Sequence, residues 1–255
     1  MNAILAIATN TLRQTIRQRL YFNIGIFGVG MVLLSMVMAN ITFGEPARVV
    51  RSIGLSGTAI AVDLIALLVS VALVHSEIDR KTLFIVLTRP VSRTEYVIGR
   101  YLGLVAALCL ALAGFVVVFI LVLLSQKQSE LRMQDVVALL AILPEACVLG
   151  AFGMLLSTFS TPTLSAGLGL GFWLAAASAD DLVRLTAKAE PFVQSGAKVV
   201  ALVLPAFSRF NFRDAAIYDL AIPRVDLVAA GAYGVLWVVV LVAISAAVLS
   251  RREML

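Results

Sequence analysis

Six apolar runs, each close to 20 residues or longer, recur along the chain, and they constrain the fold more than any other feature of the sequence. They are Tyr21 to Ile41, Leu55 to Val74, Val97 to Leu124, Val136 to Leu156, Pro162 to Ser178 and Leu227 to Leu249. A helix of about 20 apolar residues crosses the roughly 30 Å hydrocarbon core of a bilayer. The runs therefore predict an all-α integral membrane protein with six transmembrane helices, residues 1–255 forming one membrane domain. With 61% hydrophobic and 14% charged residues, the chain is far from the roughly half and quarter of soluble domains. The fifth run is short and rich in glycine, but Thr161 followed by Pro162 reads as an N-cap and first helical position. The first run is too long for a signal-peptide core and lacks a small-x-small cleavage site, so it reads as an uncleaved anchor.

The flanking charges predict orientation. Residues 1–20 read as an amphipathic helix at the membrane interface, with Leu5, Ala8, Leu12, Ile16 and Leu20 on one face and Asn10, Arg13, Gln14, Arg17 and Gln18 on the other. Arg13, Arg17 and Arg19 beside the first run place the N-terminus in the cytoplasm by the positive-inside rule. Six spans return the C-terminus, with Arg251 and Arg252, to the same side. The segment 76–96 is then cytoplasmic and carries Arg80, Lys81, Arg89 and Arg93, while 179–226 is external. External segments hold about as many basic residues, but long ones weigh little in the rule, and 179–226 is also rich in carboxylates. The expected location is the cytoplasmic (inner) membrane of a bacterium. The net charge of +5 reports orientation and contact with anionic lipid rather than a nucleic-acid partner.

Catalytic parts are not evident. The chain has no G-x-x-x-x-G-K-[ST] phosphate loop, so any nucleotide energy must come from a partner. His75 is the only histidine and has no cysteine or carboxylate cluster around it, so no metal site is expected. Cys109 and Cys147 lie within apolar runs and read as small packing residues. Gly99 with Gly103, and Gly167 with Gly171, have the spacing that lets membrane helices approach closely. Phe207, Phe210 and Phe212, interleaved with Arg209 and Arg213, read as an aromatic interfacial belt. Asp63 and Glu145 stand inside the second and fourth runs, each about nine residues from the external end. A mid-membrane carboxyl costs about 2.5 to 3.5 kcal/mol on insertion scales, so such groups face a bundle interior or an aqueous cavity. Two readings stay open: a shared polar site on a transport path or dimer seam, or two carboxyls with a packing role alone.

The richest segment is SEIDRKTLFIVLTRPVSRTEYVIGRYLG, Ser76 to Gly103. Ser76 caps a short helix with Glu77 and Asp79 in its first turn, and Pro90 ends the pattern. Leu83, Phe84, Val86 and Leu87 make an apolar edge beside Arg80 and Lys81, suited to a protein groove or to lipid headgroups. Ser92 and Glu95 form a capping box that launches the third span.

This segment, with its E-x-x-x-x-T-L-x-x-L pattern and RPVSR turn, resembles the cytoplasmic loop of permeases of the type-two exporter class of ATP-binding-cassette (ABC) transporters. The stretch LPAFSRFNFRD, Leu204 to Asp214, is similar to the external stretch before the last span in the branch that includes permeases of nitrous-oxide-reductase maturation. The resemblance implies a catalytically silent permease that binds no cofactor itself, with ATP and Mg held by a cytoplasmic ABC ATPase subunit. It further implies pairing with a second permease chain as a homodimer and leaves room for an external accessory protein. Glu77, Asp79, Arg80, Lys81, Leu83, Phe84 and Leu87 would form the coupling helix, with Leu83 and Phe84 as its anchors. An ion-gradient transporter would want inverted repeats and more intramembrane charge. An intramembrane enzyme would want a convergent nucleophile and base. A non-transporting anchor for a cytoplasmic complex would use the same docking helix.

Overall fold

The computed structural model describes residues 3–42, 45–73, 92–125, 130–186 and 190–251. Every element among them is helical. In chain order they are α1 (Ala3–Ile16), α2 (Arg19–Ile41), α3 (Pro46–Leu73), α4 (Arg93–Ser125), α5 (Met133–Ser157), α6 (Pro162–Leu185), α7 (Pro191–Val203), a 3-10 turn (Phe207–Phe210), α8 (Arg213–Tyr218) and α9 (Arg224–Arg251). Five of these helices, α2 to α5 and α9, are long and apolar enough to cross a membrane. The described residues thus form an all-helical, multi-pass membrane protein. The helix at the fifth expected span, α6, has 24 residues, but Ser165, Gly167, Gly169, Gly171 and Ser178 thin its apolar content and Asp180, Asp181 and Arg184 occupy its last turns.

The helices overrun the apolar runs where local chemistry permits. Pro46 at the first position of α3 has its φ preset and gives up only an N–H that the helix start leaves unpaired, so α3 begins well before Leu55. The expected box opens α4: the Ser92 N–H donates to Glu95 Oε2 at 2.9 Å and the Glu95 N–H to Ser92 Oγ at 3.2 Å. α6 starts at Pro162 as the sequence predicts, although the Thr161 hydroxyl makes no cap bond.

α3 forms the centre of the bundle, packed on α2, α4 and α5, while α9 lies on α5 and α4. Near its middle α3 widens to a π turn at Ile65–Val69, beginning two residues past Asp63. Such turns insert an extra residue into an α-helix and recur at functional sites. Here the turn pushes Leu67 toward two glycines, Gly153 of α5 and Gly169 of α6. A Cβ on Gly153 would lie 3.1 Å from the Leu67 carbonyl oxygen, and one on Gly169 would collide with the Leu67 side chain. Gly167 and Gly171, which the spacing marks as the close-approach pair, have nothing within 4 Å of a Cβ. The contact within this chain runs through the glycine between them.

α1 lies along the first turns of α4. Gly99 and Gly103 make that contact, against Ile4, Ile7, Ala8 and Thr11. The helix therefore has three faces rather than two. Thr11 and Thr15 are buried on the α4 side, Leu5 and Ile16 stay exposed on an apolar side, and Arg13 and Arg17 are exposed with Asn10 on the third. Arg19, at the start of α2, is exposed as well. At this end of the bundle Arg100 is buried, donates to the Leu73 carbonyl at 3.3 Å and lies over the Tyr96 ring, placing a cation at the C-terminal end of α3.

The opposite end is closed by a buried ion pair. Arg51 of α3 is 3% exposed and Asp135 of α5 is 0% exposed, with Arg51 Nε donating to Asp135 Oδ1 at 2.8 Å. Arg51 also donates to the Glu130 carbonyl at 2.7 Å, and the second Asp135 oxygen accepts the Arg132 N–H at 3.0 Å. α8 packs across the same end of α3 and α5 and stops at Asp219, whose left-handed φ of 57° ends the helix.

Candidate functional site

Asp63 and Glu145 come together between α3 and α5. Asp63 lies seventeen positions after Pro46, deeper in its helix than the nine expected, because α3 starts earlier than its apolar run. Glu145 lies twelve positions after Met133 and follows Pro144, whose ring faces Gly234 of α9. Both carboxyls are buried, Asp63 at 3% and Glu145 at 5% exposure. They lie within electrostatic reach of each other and of Arg213 at the start of α8. The Trp173 indole N–H of α6 reaches the Asp63 carboxyl, while Asp63 Oδ1 has no hydrogen-bond partner.

Over Glu145 opens a polar cavity of about 330 Å³, lined by the C-terminal turns of α6 (Ala177, Asp180, Asp181, Arg184) and by Phe207, Ser208, Asn211, Arg213 and Asp214. Ser208 donates a short hydrogen bond to Asp180. Asn211 Oδ1 accepts from Arg213 Nε at 2.9 Å and so orients the guanidinium. Four carboxylates and two guanidinium groups face this space, which makes it acidic on balance.

The cavity's wall is held by an aromatic ladder. Phe152 of α5 stacks on Phe172 of α6 at 3.7 Å between centroids, and Phe207, Phe210, Tyr233 and Trp237 continue the series at 6.3, 6.2, 6.0 and 6.4 Å. Arg209 lies 4.7 Å from the Tyr233 ring centroid, and the Tyr233 hydroxyl accepts the Ala206 N–H at 3.0 Å. Phe207 and Phe210 are therefore core residues that pin the segment before α8, not an interfacial belt. Alternating aromatic and basic residues fit both environments, and only the contacts with Phe172 and Tyr233 separate them.

The sequence marks Asp63 and Glu145 from their depth in apolar runs, and the structure joins them. The roles of Arg213 and of the Asp180, Asp181 and Asp214 rim escape sequence reasoning because these residues belong to the segment 179–226, read as external with Arg213 in an interfacial belt, and nothing local marks Trp173 within the fifth run. Pro191 and the apolar spacing of Phe192, Val193, Val199 and Val203 were available as a helix signal for α7. Glu77, Asp79, Arg80, Lys81, Leu83, Phe84 and Leu87, expected to form the coupling helix, and His75 lie outside the described residues.

A bundle of apolar helices long enough to span a bilayer, with a buried acidic pair beneath a polar mouth, has the build of a multi-pass membrane protein. The particular family follows from comparison: the model of the ABC-2 family transporter protein matches residues 5–254, and the chain belongs to that family. It is thus the membrane component of an ABC transporter, and membership implies an ABC ATPase partner. A search of curated proteins finds no match.

Proposed function

We propose that this chain is a six-span permease subunit, with both termini in the cytoplasm, that moves its cargo when a separate ATPase subunit hydrolyses ATP. The family match over residues 5–254 carries this reading. The arginines on the exposed face of α1 and at the start of α2 support a cytoplasmic N-terminus. α6 completes the sixth span, its C-terminal carboxylates opening to the external side together with α8. Two such chains pair, in the inner membrane of a bacterium. The segment Glu77 to Leu87 docks into the ATPase through Leu83 and Phe84 with Arg80 and Lys81 beside them, and Glu77 and Asp79 at its first turn.

ATP-driven closure of the ATPase pair pushes these docking segments and tilts the spans. Asp63 and Glu145 then line the path at the depth where the inner ends of the external mouth meet the bundle core. A Phe84→Asp substitution tests the docking: a charge at a buried anchor is expected to weaken ATPase assembly by about tenfold or more and to abolish permease-stimulated ATP turnover. Assembly and turnover equal to those of the unaltered chain would remove this segment from the coupling role.

A further inference from the structure

Glu145 presents acceptors without donors to the cavity. Glu145 is 5% exposed, faces the cavity and makes no hydrogen bond or close ion pair with a described residue; its interaction with Arg213 acts through space. Behind it, Asp63 is 3% exposed and its Oδ1 is unpartnered. A buried carboxyl oxygen left unpaired is costly, and a ligand that brings N–H donors relieves the cost.

The charges around the void select the sign of that ligand. Glu145, Asp180, Asp181 and Asp214 outnumber Arg184 and Arg213. Arg184 is drawn to Asp181 at 3.9 Å, which leaves three carboxylates against Arg213. Among the described residues no three His, Cys, Asp or Glu side chains are arranged to hold a metal ion. The carboxylates instead surround a space of about 330 Å³, enough for about ten waters at their liquid volume or one small organic ion. Phe207 contributes an aromatic wall that tolerates both an alkyl chain and a cation.

We propose that this cavity binds a protonated aliphatic amine, with Glu145 accepting from its ammonium group and the Asp180, Asp181 and Asp214 rim attracting it. The amine's role as cargo rests on the permease reading, whereas its binding is measured on the chain alone, without ATP or ATPase. Failure of binding and failure of the ATPase partnership therefore read out separately.

Trp173 is a built-in reporter, since its indole touches Asp63 and the chain holds only one other tryptophan, Trp237. With Trp237→Phe in lipid nanodiscs, titration with putrescine is expected to give a saturable change in Trp173 emission. Sodium and magnesium chloride at matched ionic strength are expected to give none. Glu145→Gln raises the half-saturating concentration about tenfold or more, as loss of one charged hydrogen bond implies. Asp214→Asn, on the exposed rim, raises it about threefold and decides the matter if the buried variant fails to fold. No saturable change, an equal response to magnesium or sodium, or unaltered binding in these variants would overturn the proposal.

Discussion

Replacing Arg51 with Met is expected to lower the unfolding free energy by about 3–5 kcal/mol, because it strands the fully buried Asp135 carboxylate without its partner. Asp135→Leu alone carries a similar cost, since it leaves Arg51 with only the Glu130 carbonyl. The double variant Arg51→Met with Asp135→Leu is expected to recover much of the loss, as buried pairs are often replaceable by apolar residues of similar volume. Thermal unfolding of the four proteins in one detergent closes the cycle. Single variants as stable as the parent would mean that the α3–α5 end is wet and that the pair does not hold it. Arg48 and Glu45, paired at 3.1 Å but exposed, supply the contrast: their removal is expected to change stability by less than about 1 kcal/mol.

A second large effect is expected at Gly103. Its Cβ position lies 2.5 Å from Thr11 Cβ and 2.6 Å from the Ala8 carbonyl oxygen, so a side chain there meets α1 backbone rather than a side chain able to move aside. Gly103→Val is expected to unseat α1 at a cost of about 1–3 kcal/mol, enough to raise its local opening about tenfold. Cleavage by trypsin at Arg13 reports this directly, because that arginine lies inside α1 and becomes cleavable only when the helix leaves its seat and unwinds. Gly114 lies on the same helix with nothing within 4 Å of its Cβ position, and Gly114→Val is expected to leave the cleavage rate near that of the parent. Equal rates in all three proteins would mean that α1 is held by lipid alone.

Much of this architecture is legible in the sequence where one local rule decides the outcome. Span length marks the apolar helices, and Ser92 with Glu95 marks the start of α4 by an i, i+3 box that needs no tertiary help. Asp63 and Glu145 stand out because carboxyls in apolar runs must find company. Elsewhere the deciding contact lies far along the chain. Hydropathy ends the second run at Leu55 because Arg51 reads as a boundary, and only Asp135, distant in sequence, makes that arginine a buried residue. Gly167 and Gly171 have the better spacing, yet Gly169 makes the contact within the chain, because the π turn in α3 aims Leu67 at it. The site's upper half was illegible for the same reason: Arg213 and Trp173 gain meaning only once α8 folds across α3 and α6 brings its indole to Asp63.

The proposed role, the permease of an ATP-driven transporter, requires an ATPase bound to this chain. Purification of the chain from its native membrane tests it most directly, followed by identification of what accompanies it. The expected companion is a soluble protein with a G-x-x-x-x-G-K-[ST] loop that hydrolyses ATP and is released when residues 76–96 are deleted. Purification with no such ATPase, under conditions that keep the membrane complex intact, would contradict it.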